Sequence, residues 1–394
     1  MVALPTLPRQ VVLVGAGHAH VEVLRSFATS PMADVRLTLV SRSQTTPYSG
    51  MLPGVVAGLY RKEDAYIDAL ALATAAGATF LRTEAVGIDL RSQHVSCRDG
   101  APLPYDIVSL DVGSTPNTEG VTGAAEHAIP VKPIDAFLSR FEPLRARIRE
   151  RPGRIVIVVG GAAGVELAFS VHRRLTAEVI DAGLRSRPLK FTLLCASDRI
   201  LPEFPRAFRQ RCRRILDDRG IEVLENARVS AVLPGTVELT DGRNVAADEA
   251  LWVTEAAAPS WLRASGLVVD ERGFAVVDGT LRASGHDNIF AAGDVAAFQP
   301  RKLPKSGVYA VRQGPVLARN IRRLLANETL AEYSPQQQTL YLLSTGERHA
   351  IGTRNGLVLE GDWVWSFKNW LDRRFVGKYR IDGAAPLDRG SPRG

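Results

Sequence analysis

Cysteine is scarce in this chain, with three among 394 residues: Cys97, Cys195 and Cys212. No two stand at a C-x-x-C or C-x-x-x-x-C spacing, which argues against a metal site or a disulfide framework and suits a reducing compartment. Runs of about 18 apolar residues are also missing, so no membrane-spanning helix is expected. The opening "MVALPTLPRQ" has no charged start followed by an apolar stretch, so no secretory leader is expected and the cytoplasm is the expected location. Nor is there a strong excess of one charge. The 49 Lys+Arg against 42 Asp+Glu give +7, spread along the chain. That balance does not mark a nucleic-acid binder, but it suits anionic partners such as dinucleotides or acidic lipid headgroups.

What is present is an ordinary globular composition, 45% hydrophobic and 23% charged, in a chain long enough for two or more domains. The apolar run "VVLV" meets "GAGHAH" and then the amphipathic "VEVLRSFATS", which reads as strand, turn and helix. A second strand, "VRLTLV", completes a βαβ unit. The same grammar returns in "RIVIVV", "GGAAG", "VELAFSVHRRL" and "LKFTLLC". Each unit is followed by short strands joined by Asp-Gly and Pro turns, a small antiparallel insertion, and then a buried strand. The expected class is α/β with two Rossmann-like dinucleotide-binding domains.

In the first turn, Gly15 permits the reversal and Gly17 lets the backbone approach a pyrophosphate at the N-terminus of the following helix. His18 is near enough to donate to phosphate. His20 replaces the third glycine, and its plain reading is an accommodated helix residue. The second strand ends at Ser41 and Arg42 instead of the acidic residue expected there. Either Ser41 bonds ribose and Arg42 lies over adenine, or both open a solvated loop. Later, "NIFAAGDVA" stops a strand at Gly293 and Asp294, where a carboxylate can meet the ribityl hydroxyls of a flavin; by itself such a turn could be any helix cap.

With these three pieces together, the chain resembles the two-dinucleotide-domain flavoproteins of the pyridine nucleotide-disulfide oxidoreductase-like superfamily, which includes type II NADH dehydrogenases. Within it, "TPYSGMLPG", "SLDVGSTP" and "LPKSGVYAVRQGPVLARN" look like the flavoprotein module that occurs fused to selenide, water dikinase. No dikinase sequence lies in these 394 residues, and only the flavoprotein function is carried over. The resemblance implies an FAD domain from residues 1-116 and 256-325, an NAD(P)H domain inserted at 117-255, and a C-terminal α+β region at 326-394. It implies FAD phosphates at Gly15, Gly17 and His18, the adenosine end near Ser41, Arg42 and Val86, and the ribityl chain at Gly293 and Asp294. Pro47, Tyr48, Gly307 and Val308 would lie near the isoalloxazine ring. The disulfide branch keeps paired cysteines beside the flavin; "TTPYSGMLPG" has none, so no dithiol relay is expected.

The second fingerprint is short of a glycine. Counting back from Gly164 puts Gly161 in the middle and Val159 where the first glycine belongs. A β-branched residue adds bulk where the turn begins and disfavours positive φ. Gly160 and Gly161 remain for the reversal, Gly164 for close helix packing, and Ala162 opens the helix. The resemblance puts Glu166 at the nicotinamide end. A nicotinamide site with altered fit is expected, tightened if Val159 reverts to glycine; the alternative is a nucleotide fold kept as scaffold. NADH and NADPH are not distinguished: "KFTLLC" carries no acidic tip, and Arg199 is either a 2′-phosphate partner or surface charge.

Hydride transfer to flavin needs orientation more than acid-base groups, and the resemblance favours a quinone as the next acceptor. Gln313 is the one glutamine matching a quinone-facing position, otherwise an exposed helical residue. Lys305 meets flavin or quinone oxygens, or only solvent. The tail "WVWSFKNWLDRRFVGKYR", residues 363-380, puts Trp363, Phe367, Trp370, Leu371 and Phe375 on one helical face. Lys368, Arg373, Arg374, Lys378 and Arg380 accompany them against Asp372 alone. Such a segment suits peripheral contact with the inner face of a membrane, or it covers the flavin domain or a homodimer contact. The expected activity is that of an FAD-dependent NAD(P)H dehydrogenase passing electrons to a quinone. The rivals are an FAD protein with a degenerate nicotinamide site and one reduced by a protein donor.

Overall fold

Residues 7–159, 161–184, 189–254, 256–336 and 338–381 are described by the structure, a computed structural model. Its frame is a pair of five-stranded parallel sheets. The first takes β1 (Arg9–Val14), β2 (Val35–Ser41), β3 (Thr79–Arg82), β4 (Ile107–Leu110) and β10 (Ile289–Ala291), in the order β10-β4-β1-β2-β3. The second takes β5 (Ala128–Pro130), β6 (Arg154–Val159), β7 (Lys190–Cys195), β8 (Ile221–Leu224) and β9 (Glu249–Val253), in the order β5-β9-β6-β7-β8. Val11 to Val14 and Ile155 to Val159 are buried continuously, as strands covered on both faces must be; this is why they read as unbroken apolar runs with no alternation.

Helix α1 (His18–Thr29) follows β1, and α2 (Ala162–Asp181) follows β6. The expected antiparallel insertions are three-stranded ribbons, at Ala85–Asp89 with His94–Cys97 and Leu103–Pro104, and at Val229–Leu233 with Thr236–Leu239 and Asn244–Ala246. Past the Gly293 turn, α3 (Gly307–Leu325) lies against α1. Gly314 permits that approach: a Cβ there would stand 2.9 Å from the Glu22 Cβ and 3.3 Å from the Ala19 backbone.

The C-terminal region is a three-stranded antiparallel sheet, β11 (Tyr341–Glu347), β12 (His349–Arg354) and β13 (Leu357–Gly361), followed by α4 (Asp362–Gly377). It ties the two sheets together. Val376 and Tyr379 join the core around the first sheet, whereas Leu343 and Ile351 join the core around the second, with Leu52 and Val56 of the short helix Leu52–Ala57. Among the described residues, no helix is long and apolar enough to cross a membrane.

Candidate active site

The first glycine turn is built around a residue that sequence reasoning missed. Gly15 has φ +91°, and a Cβ there would fall 2.4 Å from the Asp111 carbonyl oxygen, so only glycine fits. Gly17 faces the Asp111 carboxylate itself, 2.3 Å from where its own Cβ would be. Asp111 Oδ2 accepts from the backbone N–H of Ala19 (2.7 Å) and of His20 (3.0 Å), the donors left over at the start of α1. His20 does more than fill a helix position. Its Nδ1 lies 2.6 Å from the Gly15 carbonyl and its Nε2 2.8 Å from Ser109 Oγ, which clamps turn to sheet where the usual third glycine would let them touch. Burial lowers His20 to about 4, so the ring is neutral, with Nδ1–H donating to Gly15 and Ser109 O–H donating to Nε2.

The second contact expected for a flavin is the Gly293-Asp294 turn, and here two expectations change. Gln313 is no exposed helical residue: it is 2% exposed, and its Oε1 accepts from the Gly293 N–H at 2.7 Å, which fixes the turn. Lys305 does not point into solvent either. Its Nζ donates to the Ala296 carbonyl at 2.6 Å and sits 3.7 Å from the Phe274 ring centroid, and burial lowers it to about 8. Asp294 accepts from Lys132 Nζ at 2.6 Å and from Ser114 Oγ at 3.2 Å. Burial pushes its carboxyl upward, but Lys132 outweighs that and holds it below the usual range. Lys132, just past β5, has no sequence signal of its own; only the meeting of the two sheets brings it here.

A third group of residues gathers from the loop after β2. Tyr48 lies 4.5 Å from Phe375 and 5.5 Å from His18, centroid to centroid. Gly307 approaches the same loop, its absent Cβ 2.9 Å from Ser49 Oγ, which brings Pro47, Tyr48, Gly307 and Val308 into one neighbourhood. Ser41 bonds within its own loop, Oγ donating to the Ser43 carbonyl at 2.9 Å, while Arg42 and Val86 are exposed.

At the second turn, Val159 ends β6 as a regular strand residue, paired with Cys195 and Val253 and 5% exposed. Its side chain occupies the space beneath Gly164, whose Cβ would stand 2.8 Å from Val159 Cβ and Cγ1. The extra bulk therefore goes into the core. Gly160 lies outside the described residues. Gly161 is extended (φ 169°) with nothing within 4 Å of its Cβ position, so this side of the turn stays open, and Ala162 begins α2 half-buried. Arg199 forms an ion pair with its neighbour Asp198.

Glu166, one turn into α2, enters a buried charged cluster. Its Oε1 accepts from the Ser344 N–H at 2.8 Å and lies 3.9 Å from Lys368 Nζ. Lys368 also donates to the Gly50 carbonyl and to Asp372 Oδ2, each at 2.7 Å. Burial pushes the Glu166 carboxyl up to about 7 against the pull of Lys368. Lys368 is held above the usual ammonium value, because Asp372 and Glu166 outweigh its burial.

The tail helix forms, but its faces differ from the helical-wheel expectation. Trp363, Phe367 and Trp370 are 57%, 42% and 50% exposed, joined by Leu357 and Leu359 of β13. Phe375 turns inward onto Tyr48. Of the five basic residues, Lys368 is buried with Asp372, Lys378 pairs with Glu22 at 2.6 Å, and Arg373 lies 3.9 Å from Asp64. Arg374 stays beside the exposed aromatics, over the Trp370 ring, and Arg380 is exposed beyond the end of the helix. Helical periodicity could not distinguish a lysine that snorkels from one with a buried carboxylate four residues on.

These residues fit a dinucleotide with phosphates and a polyol. The His18 Nε2 is buried without a hydrogen-bond partner, and glycines at 15, 17 and 293 keep the backbone bare around Asp111. The family described as pyridine nucleotide-disulphide oxidoreductase matches residues 9–314. A type II NADH:quinone oxidoreductase of Staphylococcus aureus (strain bovine RF122 / ET3-1) is 26% identical over 387 residues, covering 94% of this chain and 96% of that protein. The sulfide:quinone oxidoreductase of Aquifex aeolicus superposes with a TM-score of 0.78 at 20% identity, over 94% of this chain and 91% of the other. NDH2 of Plasmodium falciparum, solved with NADH, gives 0.78 at 14% identity, over 94% and 97%.

Proposed function

The chain belongs to the pyridine nucleotide-disulphide oxidoreductase family, and on that premise we propose that it is an FAD-dependent NAD(P)H dehydrogenase that reduces a quinone. The observation that carries the reading is Lys368: one buried ammonium bonds Gly50 in the flavin-side loop and lies 3.9 Å from Glu166 on the nicotinamide-side helix. Two nucleotide units joined in this way suit hydride passage between two bound cofactors. We assign residues 1-116 and 256-325 to FAD, 117-255 to NAD(P)H and 326-394 to a C-terminal region.

FAD, when bound, accepts a hydride and releases electrons to the next acceptor. The protein's own part is to bind and orient. Gly15, Gly17 and His18 would hold phosphate, Asp294 the ribityl hydroxyls, and Lys132 with Gln313 keeps Asp294 in position. Gly161, Ala162 and Gly164 would admit the nicotinamide dinucleotide. Quinone reduction also consumes protons, and the Glu166 carboxyl is suited to hold one on Oε2, the oxygen turned away from Ser344 N–H, since burial raises it to about 7. An open cavity of about 490 Å³ bordered by Leu371, Arg374, Phe375 and Lys378 is large enough for a ring-sized acceptor. None of the three cysteines borders that cavity, which favours a quinone over a disulfide.

Anaerobic mixing tests the reading. The yellow protein is expected to bleach on addition of NADH or NADPH, and to regain colour when quinone follows. Colour unaffected by either nucleotide would favour the rival, an FAD protein whose inserted domain is a scaffold.

The exposed Trp363, Phe367 and Trp370 beside Arg374 support a tail that lies on an anionic membrane surface. Replacing the three aromatics with serine is expected to weaken binding to vesicles containing anionic lipid by at least about tenfold, with flavin content unchanged. Equal sedimentation of both proteins with the vesicles would assign the patch to a contact between copies.

A further inference from the structure

Asp111 stands in a seat that a phosphate would be expected to take. The start of a helix is a ready anion site because its free N–H groups and its dipole favour negative charge. In this chain two of those N–H groups, at Ala19 and His20, already bond a carboxylate that is only 3% exposed. The same carboxylate lies against both glycine turns assigned to the flavin, 2.3 Å from the Cβ position of Gly17 and 2.7 Å from that of Gly293. In the same first turn of α1, the Nε2 of His18 is buried and has no hydrogen-bond partner.

Among the described residues around it, no cation is free to neutralise a second anion there. From α1, His18 and His20 are both neutral, each lowered to about 4 by burial. From the turn after β10 comes Asp294, a further negative charge, on which Lys132 is spent. Lys305 bonds Ala296, and α3 offers only Gln313, which is uncharged. A pyrophosphate brought beside an ionised Asp111 would meet like charge at low dielectric, which is strongly unfavourable.

We propose that Asp111 is part of the flavin phosphate site and that the dinucleotide binds with this carboxyl protonated, so that cofactor binding takes up one proton. A neutral carboxyl still accepts from Ala19 and His20 through one oxygen, while its other oxygen carries the hydrogen. The balance is simple: carboxylate, proton and FAD give the carboxylic acid with FAD bound, and no electrons move. Burial already raises the free carboxyl to about 7, with Asp294 adding to that push against the two backbone N–H bonds. Below that value the site is ready; above it, binding must draw a proton from solution. This inference rests on the FAD reading proposed above.

The test uses the full-length protein, freed of flavin and titrated with FAD between pH 6 and 8.5. Wild type is expected to bind about fivefold more weakly at pH 8 than at pH 7, and to take up about one proton per FAD at pH 8 in weakly buffered solution with an indicator dye. Asp111→Asn is expected to lose the pH dependence and to bind about tenfold tighter than wild type at pH 8. Lys305, lowered to about 8, weakens binding in the same direction at higher pH, so Lys305→Met is expected to retain the change between pH 7 and 8. A wild-type affinity flat across the range with no proton taken up would overturn the role of Asp111, whatever the fate of the variant. Absence of FAD binding at every pH would overturn the FAD reading and this inference together.

Discussion

Replacing Lys368 with methionine is expected to cost about 3–5 kcal/mol of stability at pH 8, as removal of one partner from a buried ion pair does. Methionine has nearly the same length, so the change removes charge with little loss of packing. It leaves Asp372 and Glu166, both almost wholly enclosed, without their cation, and the Gly50 carbonyl without its donor. The loss should shrink at low pH. Glu166 is raised to about 7, so in the wild type folding binds a proton between the ordinary carboxylate value and 7. Stability from this group therefore falls as pH climbs through that window, by about 1.4 kcal/mol per unit. Without Lys368 both carboxyls rise further and the fall becomes steeper. Urea midpoints at pH 5.5 and 8 for the two proteins check this. A variant within about 1 kcal/mol of wild type at pH 8 would remove the cluster from the account of how the two nucleotide units are joined.

What the sequence made legible here was local. Unbroken apolar runs ending in Gly-x-Gly or Gly-Asp turns give strands and helix starts through chain geometry alone, so Gly15, Gly17, Gly164, Gly293 and Asp294 stand out in one dimension. The antiparallel ribbons were legible for the same reason, from Asp-Gly and Pro turns between short alternating segments. The residues that complete the site carry no such mark. Asp111 reaches α1 across more than ninety residues of chain, and Lys132 meets Asp294 only because the second sheet is set against the first. For Gln313 the sequence offers a quinone-facing or an exposed helical position, yet its amide oxygen accepts from a turn N–H. For Phe375 and Lys368 the sequence leaves open a membrane-facing and a domain-covering role, because it does not show that Tyr48 and Glu166 lie on their inner side. Burial and partner choice are tertiary quantities, and periodicity constrains them weakly.

The valine in the second turn shows how this changes a prediction's sign. Read along the chain, Val159 is a glycine lost from a binding turn, and its reversion should tighten nicotinamide binding. In three dimensions it is the last core residue of β6, and α2 rests on it through Gly164. Val159→Gly is therefore expected to cost about 3 kcal/mol, from the emptied space and from added backbone freedom in a strand, with no gain in affinity for NADH. Gly164→Ala should also destabilise, by about 1–3 kcal/mol, since its methyl would fall 2.8 Å from the valine side chain. The two losses should not add. Combined with Val159→Gly, which removes the Cβ as well as the Cγ atoms, the alanine at 164 finds room, and the double variant is expected to be more stable than the sum of the singles implies by about 1–2 kcal/mol. Denaturation midpoints of the four proteins close the cycle, and titration with NADH reads the site. Strict additivity, or tighter NADH binding by Val159→Gly, would return Val159 to the turn and away from the core.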